Sequence, residues 1–218
     1  MSRRTKNKLE KQARILSAAI SVFADKGYSA ATMDAIAKKA GLTKPTLYQY
    51  FKSKDVLFKA MMTLSRDQMM LVFEEHAEID HVEQLLIFAR RYAETVMDPN
   101  FLSLARLTIG EAQRFPEVGR AYQRSGPDKV LAGLMKFMER LKAEGRLEFE
   151  EAELAAQDFW GLILSAPRNQ ALHEPDNIPG AEQIERYIRN GVKIFLKAYA
   201  SDPERDLARL EKGISVFD

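Results

Sequence analysis

Apolar residues recur at steps of three and four along almost the whole chain, and no stretch alternates with period two, so the pattern predicts an all-α protein. Leu9, Ala13, Leu16, Ile20 and Phe23 line one face of a first helix, and Gly27 offers it a left-handed stop. Thr32 heads a short second helix with Met33, Ile36, Ala37 and Ala40 inward, closed by Gly41. Thr43 heads an equally short third, with Pro45 in the first turn, where a missing N–H is harmless. Ser53 caps a fourth helix expected to run from Lys54 to about His76, without a flexible linker at its start. Further helices are expected near 81–97, 99–114 (capped by Asp98), 127–144, 150–171 and 181–200, with a short one after Pro203. Gly126 with Pro127, Gly145, and the run from His173 to Gly180 supply turns.

Two short capped helices around a glycine turn, preceded by a longer amphipathic helix, describe a helix-turn-helix. The second helix must cross a phosphate backbone while the third enters a major groove, so the pair needs an apolar inner face and a small polar outer one. Ala37, Ala40, Leu42, Leu47 and Phe51 supply the inner face; Lys44, Pro45, Thr46 and Gln49 supply the outer.

Charge sharpens this picture. The 218 residues carry a net charge of only +2, but residues 1–59 hold thirteen Lys and Arg against four Asp and Glu, a net of +9, and the remainder is −7. The basic segment coincides with the helix-turn-helix. At 46% hydrophobic the chain can bury a core, and without cysteine it has no disulfides, thiolate metal sites or cysteine nucleophile. The most apolar run, from Phe159 to Ala166, is too short to span a membrane, and polar LEKQAR follows the basic start where a signal peptide would be apolar. A cytoplasmic protein is expected. His76, His81 and His173 are too few and badly spaced for a metal site, and no phosphate loop, nucleophile elbow or paired-carboxylate motif occurs, so neither an enzyme nor a cofactor is expected.

The run Phe23, Gly27-Tyr28, Thr32, Ile36-Ala37, Ala40-Gly41, Thr46-Leu47-Tyr48, Tyr50-Phe51, Lys54 and Leu57 resembles the DNA-binding domain of the tetracycline-repressor (TetR) family, over about the first quarter of the chain. The resemblance implies an all-helical homodimer, with three DNA-binding helices before a larger ligand-binding and dimerisation domain. The corresponding boundaries are a basic arm at 1–8, a DNA-binding domain at 9–55 with its helix-turn-helix at 32–51, and the second domain at 56–218. It further implies that Thr32, Tyr48 and Lys54 meet phosphates of a double-stranded operator, and that Lys44, Pro45, Thr46 and Gln49 face base edges, beside the cap Thr43. Met33 and Asp34 fall where members of the family vary, Asp34 being able only to accept, for instance from cytosine N4. Tyr48 has the alternative of packing on the first helix, and Tyr50 reads as structural. Arg3, Arg4, Lys6, Lys8 and Lys11 either track the DNA or form a solvated tail.

Over the C-terminal two thirds the resemblance thins. The helices near 150–171 and 181–200 are the expected dimer bundle, with Ala155, Phe159, Leu162, Ile188, Val192 and Phe195 at its interface; burial of both faces within one subunit is the alternative. Met62, Met69, Phe88, Tyr92, Phe101, Phe137 and Trp160 are the expected walls of a pocket for a small, largely apolar effector. Arg90, Arg91, Arg106 and Arg114 either receive an anionic group or pair with acids such as Glu94 and Glu111. The function expected is a ligand-responsive repressor of efflux or stress genes, its fourth helix transmitting from pocket to DNA. A regulator of lipid or other metabolic genes is the alternative, and a constitutive architectural DNA binder or a helical enzyme represents other classes.

Overall fold

In the computed structural model, residues 3–61 and 79–212 are described, and these are helical apart from turns and one isolated bridge, between Leu147 and Ala200. The helices are α1 (Arg3–Ala30), α2 (Met33–Lys39), α3 (Lys44–Tyr50), α4 (54–61), α5 (His81–Val96), α6 (Pro99–Glu111), α7 (Pro116–Ser125), α8 (Pro127–Ala143), α9 (Ala152–His173), α10 (Ala181–Tyr199) and α11 (Pro203–Glu211). The fourth helix expected beyond residue 61 lies outside the described residues, as do Met62 and Met69.

The local chemistry explains the boundaries. Gly27 takes φ 76° and breaks the regular course of α1 before its last turn, and Gly41 takes φ 64° at the end of α2, conformations that a side chain would strain. Thr32 accepts from the Ala35 N–H at 3.1 Å and Thr43 from the Thr46 N–H at 3.4 Å, so both short helices have their first turns satisfied. Ser53 does the same for Val56 at 3.2 Å, and Asp98 accepts from Asn100 and Phe101 at 2.9 and 3.2 Å. Residues 3–8, expected as a separate arm, are instead the first turns of α1.

The chain forms two compact units, one combining residues 1–65 with 98–127 and the other 66–97 with 128–218. The boundary expected between 55 and 56 is therefore not where the units divide. In the first unit α6 packs along α1, and Leu104 of α6 and Val118 of α7 join a core built from Ile15, Phe23, Ile36, Leu47, Leu57 and Phe58. α7 stands where no helix was expected. Its segment is polar and buries only Val118, so its periodic signal was one turn deep.

In the second unit α9 and α10 run antiparallel in close contact. A Cβ on Gly191 would lie 2.5 Å from the carbonyl oxygen of Leu162, so only glycine permits this approach. Phe159 and Phe195 meet at 5.0 Å, and Phe88 of α5 lies 6.0 Å from Phe159. This corrects the expected interface: Ala155, Phe159, Ile188, Val192 and Phe195 are covered by the chain's own helices, and of the six only Leu162 is half-exposed. One apolar face per helix was legible, but α5 and the facing helix occupy it.

Ion pairs tie these helices together. Arg90 donates to both oxygens of Glu185, at 3.0 and 2.6 Å, so its partner is neither Glu94 nor Glu111. Hydrogen bonding to Arg90 is the main cause holding the Glu185 carboxyl below its ordinary range. His81 Nε2 lies 2.7 Å from Asp206 Oδ2, Arg205 donates to the other oxygen at 2.9 Å, and Arg209 pairs with Asp80. That network pins α11 to the start of α5.

Candidate DNA interface and effector cleft

The helix-turn-helix stands on a closed aromatic base. Phe23, Tyr28 and Phe58 pack pairwise at 5.5–6.0 Å, and the Tyr28 hydroxyl donates to Asp55. Burial, then the bond to Asp55, hold the Tyr28 phenol well above its ordinary value, so it remains a neutral donor. Leu47 is fully buried and Tyr50 packs at the edge of the same core, which fixes the rotation of α3 and turns its remaining side chains outward.

On that outer surface Lys44, Pro45 and Gln49 are exposed, Thr46 is half-buried, and Tyr48 is 41% exposed. The Thr46 and Thr43 hydroxyls lie 2.8 Å apart. Lys44 donates to Asp34 at 3.0 Å, and this bond raises the Lys44 ammonium above its ordinary value. Both partners are more than half exposed, so the pair is easily opened. Met33, expected at the interface, is buried in the core instead. Lys54, expected on phosphate, directs its ammonium to the carbonyl oxygens of Tyr28, Ser29 and Ala31 at 2.6, 3.2 and 3.3 Å. The side chains of Arg3, Arg4, Lys6 and Lys8 are outside the described residues; Lys11 is exposed.

The second unit carries a cleft of about 360 Å³ lined by Tyr92 of α5 and by Gln157, Trp160, Gly161, Leu164, Ser165, Arg168, Asn169 and Leu172 of α9. Tyr92 and Trp160 meet edge to face at 5.9 Å in its wall. Of the expected pocket residues that are described, Tyr92 and Trp160 line this cleft. Phe88 and Phe137 are core, and Phe101 belongs to the first unit, where it packs against Tyr122. The polar wall was missed, though it has a sequence signal: Gln157, Gly161, Ser165 and Asn169 recur every fourth residue, beside a second such ridge of Trp160, Leu164, Arg168 and Leu172. Among the described residues no three His, Asp or Glu gather as a metal site, and no helix is long and apolar enough to cross a membrane.

A short helix presenting a polar face from an anchored three-helix unit, with a helical second unit bearing a cleft, defines a helix-turn-helix transcriptional regulator. Residues 15–61 match the family model described as bacterial regulatory proteins of the tetR family, and residues 83–201 match the AefR-like transcriptional repressor C-terminal domain. The chain belongs to the TetR family. A putative TetR-family transcriptional regulator of Mesorhizobium loti MAFF303099 superposes with a TM-score of 0.75 and 31% identity, over 92% of this chain and all of that one. The flavonoid-responsive regulator FrrA superposes with a TM-score of 0.65 and 32% identity, over 88% of this chain and 97% of that one. The transcriptional activator FasR of Mycolicibacterium smegmatis is 51% identical over 53 residues, so that match spans only 24% of either protein.

Proposed function

We propose that the chain is a homodimeric repressor that binds a two-fold operator and releases it when a small, largely apolar molecule enters the second unit. The observation that carries this reading is the outward face of α3: Lys44, Pro45, Thr46, Tyr48 and Gln49 protrude from a helix whose Leu47 is fully buried. Such a helix can read base edges with Gln49 and Lys44, while its neighbours position it on phosphate. The AefR-like C-terminal match, described as that of a repressor, supports repression. A flavonoid-responsive relative across most of the chain supports an apolar effector, as does an aromatic cleft with a few polar groups.

Release requires that the effector favour the DNA-incompetent state, since equal affinity for both would shift nothing. Trp160 is the sole tryptophan and lines the cleft, so its fluorescence reports occupancy. The test is to select an operator from random duplexes with the full chain, then titrate it with and without a flavonoid and a long-chain acyl compound. An effector that quenches Trp160 and weakens operator binding supports the proposal; operator affinity independent of every quenching compound would leave a constitutive binder.

A further inference from the structure

A groove of about 630 Å³ runs across the first unit and is separate from the outer face of α3. It is lined by Arg14, Ser17, Ala18 and Ser21 of α1, by Lys39, Ala40 and Gly41 at the end of α2, and by Asn100 in the first turn of α6. Arg14, Ser17, Ala18 and Ser21 are spaced by three, four and seven, so one ridge of α1 supplies the floor. Gly41 borders the groove beside the guanidinium: a Cβ there would stand 4.0 Å from Arg14 Nη2, an ordinary contact. The lining therefore combines two cations, two hydroxyls and a side-chain amide, and no carboxylate stands among the described residues that form it. A guanidinium fork with an ammonium and hydroxyl donors at hand suits a tetrahedral oxyanion.

We propose that this groove is an oxyanion site that takes a phosphate group. Arg14 would hold two phosphate oxygens, Lys39 would neutralise the remaining charge, and Ser17, Ser21 and Asn100 would donate to its rim. The phosphate has two conceivable sources. Gly41 precedes the first residue of α3 by only three positions, so a backbone phosphate flanking the operator bases is one; a free phosphorylated metabolite is the other. The DNA source rests on the operator-binding reading above, and the free source does not.

The test compares the full chain with the double variant Arg14→Gln, Lys39→Gln. Both side chains are exposed, so helicity and thermal midpoint should be unchanged without ligand. One arm measures the salt dependence of binding to a selected operator, where losing one phosphate contact lowers the log–log slope by about 0.9. The other measures the rise in thermal midpoint with pyrophosphate against chloride of equal ionic strength. A shallower slope with no pyrophosphate effect assigns the groove to DNA. A pyrophosphate shift abolished in the variant, with the slope intact, assigns it to a free ligand. No difference between the two proteins in either arm overturns the proposal. Should the native chain retain no duplex at all, the regulatory reading fails, and the pyrophosphate arm alone decides the groove.

Discussion

The Lys54 ammonium donates to the Tyr28 carbonyl oxygen at 2.6 Å while lying 4.4 Å from the centroid of the same residue's ring. Its other two donors reach Ser29 and Ala31, so one lysine closes the carbonyl end of α1 with all three of its protons. Replacing it by alanine strands three carbonyls and removes a cation–π contact, and should cost about 1–2 kcal/mol in urea unfolding. With its protons occupied by α1 carbonyls, the change should leave the salt slope of operator binding nearly unchanged. A large loss of slope with unchanged stability would put Lys54 on phosphate instead.

Gly191 should be irreplaceable for a reason of distance. An alanine Cβ would lie 2.5 Å from the Leu162 carbonyl oxygen and 2.9 Å from the Ile163 Cα, backbone atoms that cannot rotate away. Separating α9 from α10 loosens the contact of Phe159 with Phe195, so Gly191→Ala should cost about 3 kcal/mol, visible as a lowered thermal midpoint. Gly110, exposed and with nothing within 4 Å of such a Cβ, is the control; there alanine should be neutral or stabilise by a few tenths of a kcal/mol.

Asp206 predicts the acid limb of stability. Its complete burial pushes its carboxyl up, but hydrogen bonds from Arg205 and His81 outweigh that and leave it below the ordinary 3.8. A carboxyl depressed in the folded state stabilises fully above its unfolded value, and loses that contribution as pH falls through the folded one. The second unit should therefore keep its unfolding midpoint above about pH 5 and lose it progressively below about pH 4. Asp206→Asn should flatten this limb and cost about 3 kcal/mol at neutral pH, because Arg205 and His81 lose a buried partner.

How much of this was legible depended on how far each interaction reaches along the chain. Thr32, Thr43, Ser53 and Asp98 announce helix starts because a cap bonds within three residues, and Gly27 and Gly41 announce stops because only their own backbone matters. The pairs His81–Asp206 and Arg90–Glu185 are 125 and 95 residues apart, and no local pattern names such partners. Phe159 and Phe195 were recognised as an apolar face, but periodicity cannot say whose helix covers it. Lys54 was recognised as a motif residue, while the direction of its flexible side chain was set by where α1 ends. The outer face of α3 needed only the inward placement of Leu47, which is why it was readable.

With the expected interface residues covered inside the chain, the proposed dimer would use what α9 and α10 leave outside. Leu154 and Ile194 are 52% and 42% exposed, large apolar side chains on those two helices. The double variant Leu154→Glu, Ile194→Glu should sediment as a single chain with native helicity, and operator affinity should fall with it, since two half-sites must be held together. Phe195→Ala is the contrast: being fully buried, it should cost about 3–5 kcal/mol of stability. Two-chain sedimentation by the double glutamate variant would move the interface elsewhere.

The Asp34–Lys44 pair sets a choice between two ways of using an acid next to DNA. In the free protein the carboxylate holds the lysine at 3.0 Å, which keeps Lys44 extended between α3 and α2. An approaching operator must either break that bond, releasing Lys44 to guanine, or leave Asp34 to accept from cytosine N4. Because the pair is exposed, opening it costs little, whereas a carboxylate close to phosphates is repelled at every sequence. Asp34→Asn should then raise operator affinity several-fold on all duplexes, and Lys44→Ala should lower it mainly on sites with guanine at the contacted position. Equilibrium binding to an operator and its single-base variants decides the matter. If Asp34→Asn instead weakens binding at one base pair alone, Asp34 reads that base and the pair with Lys44 is only its resting position.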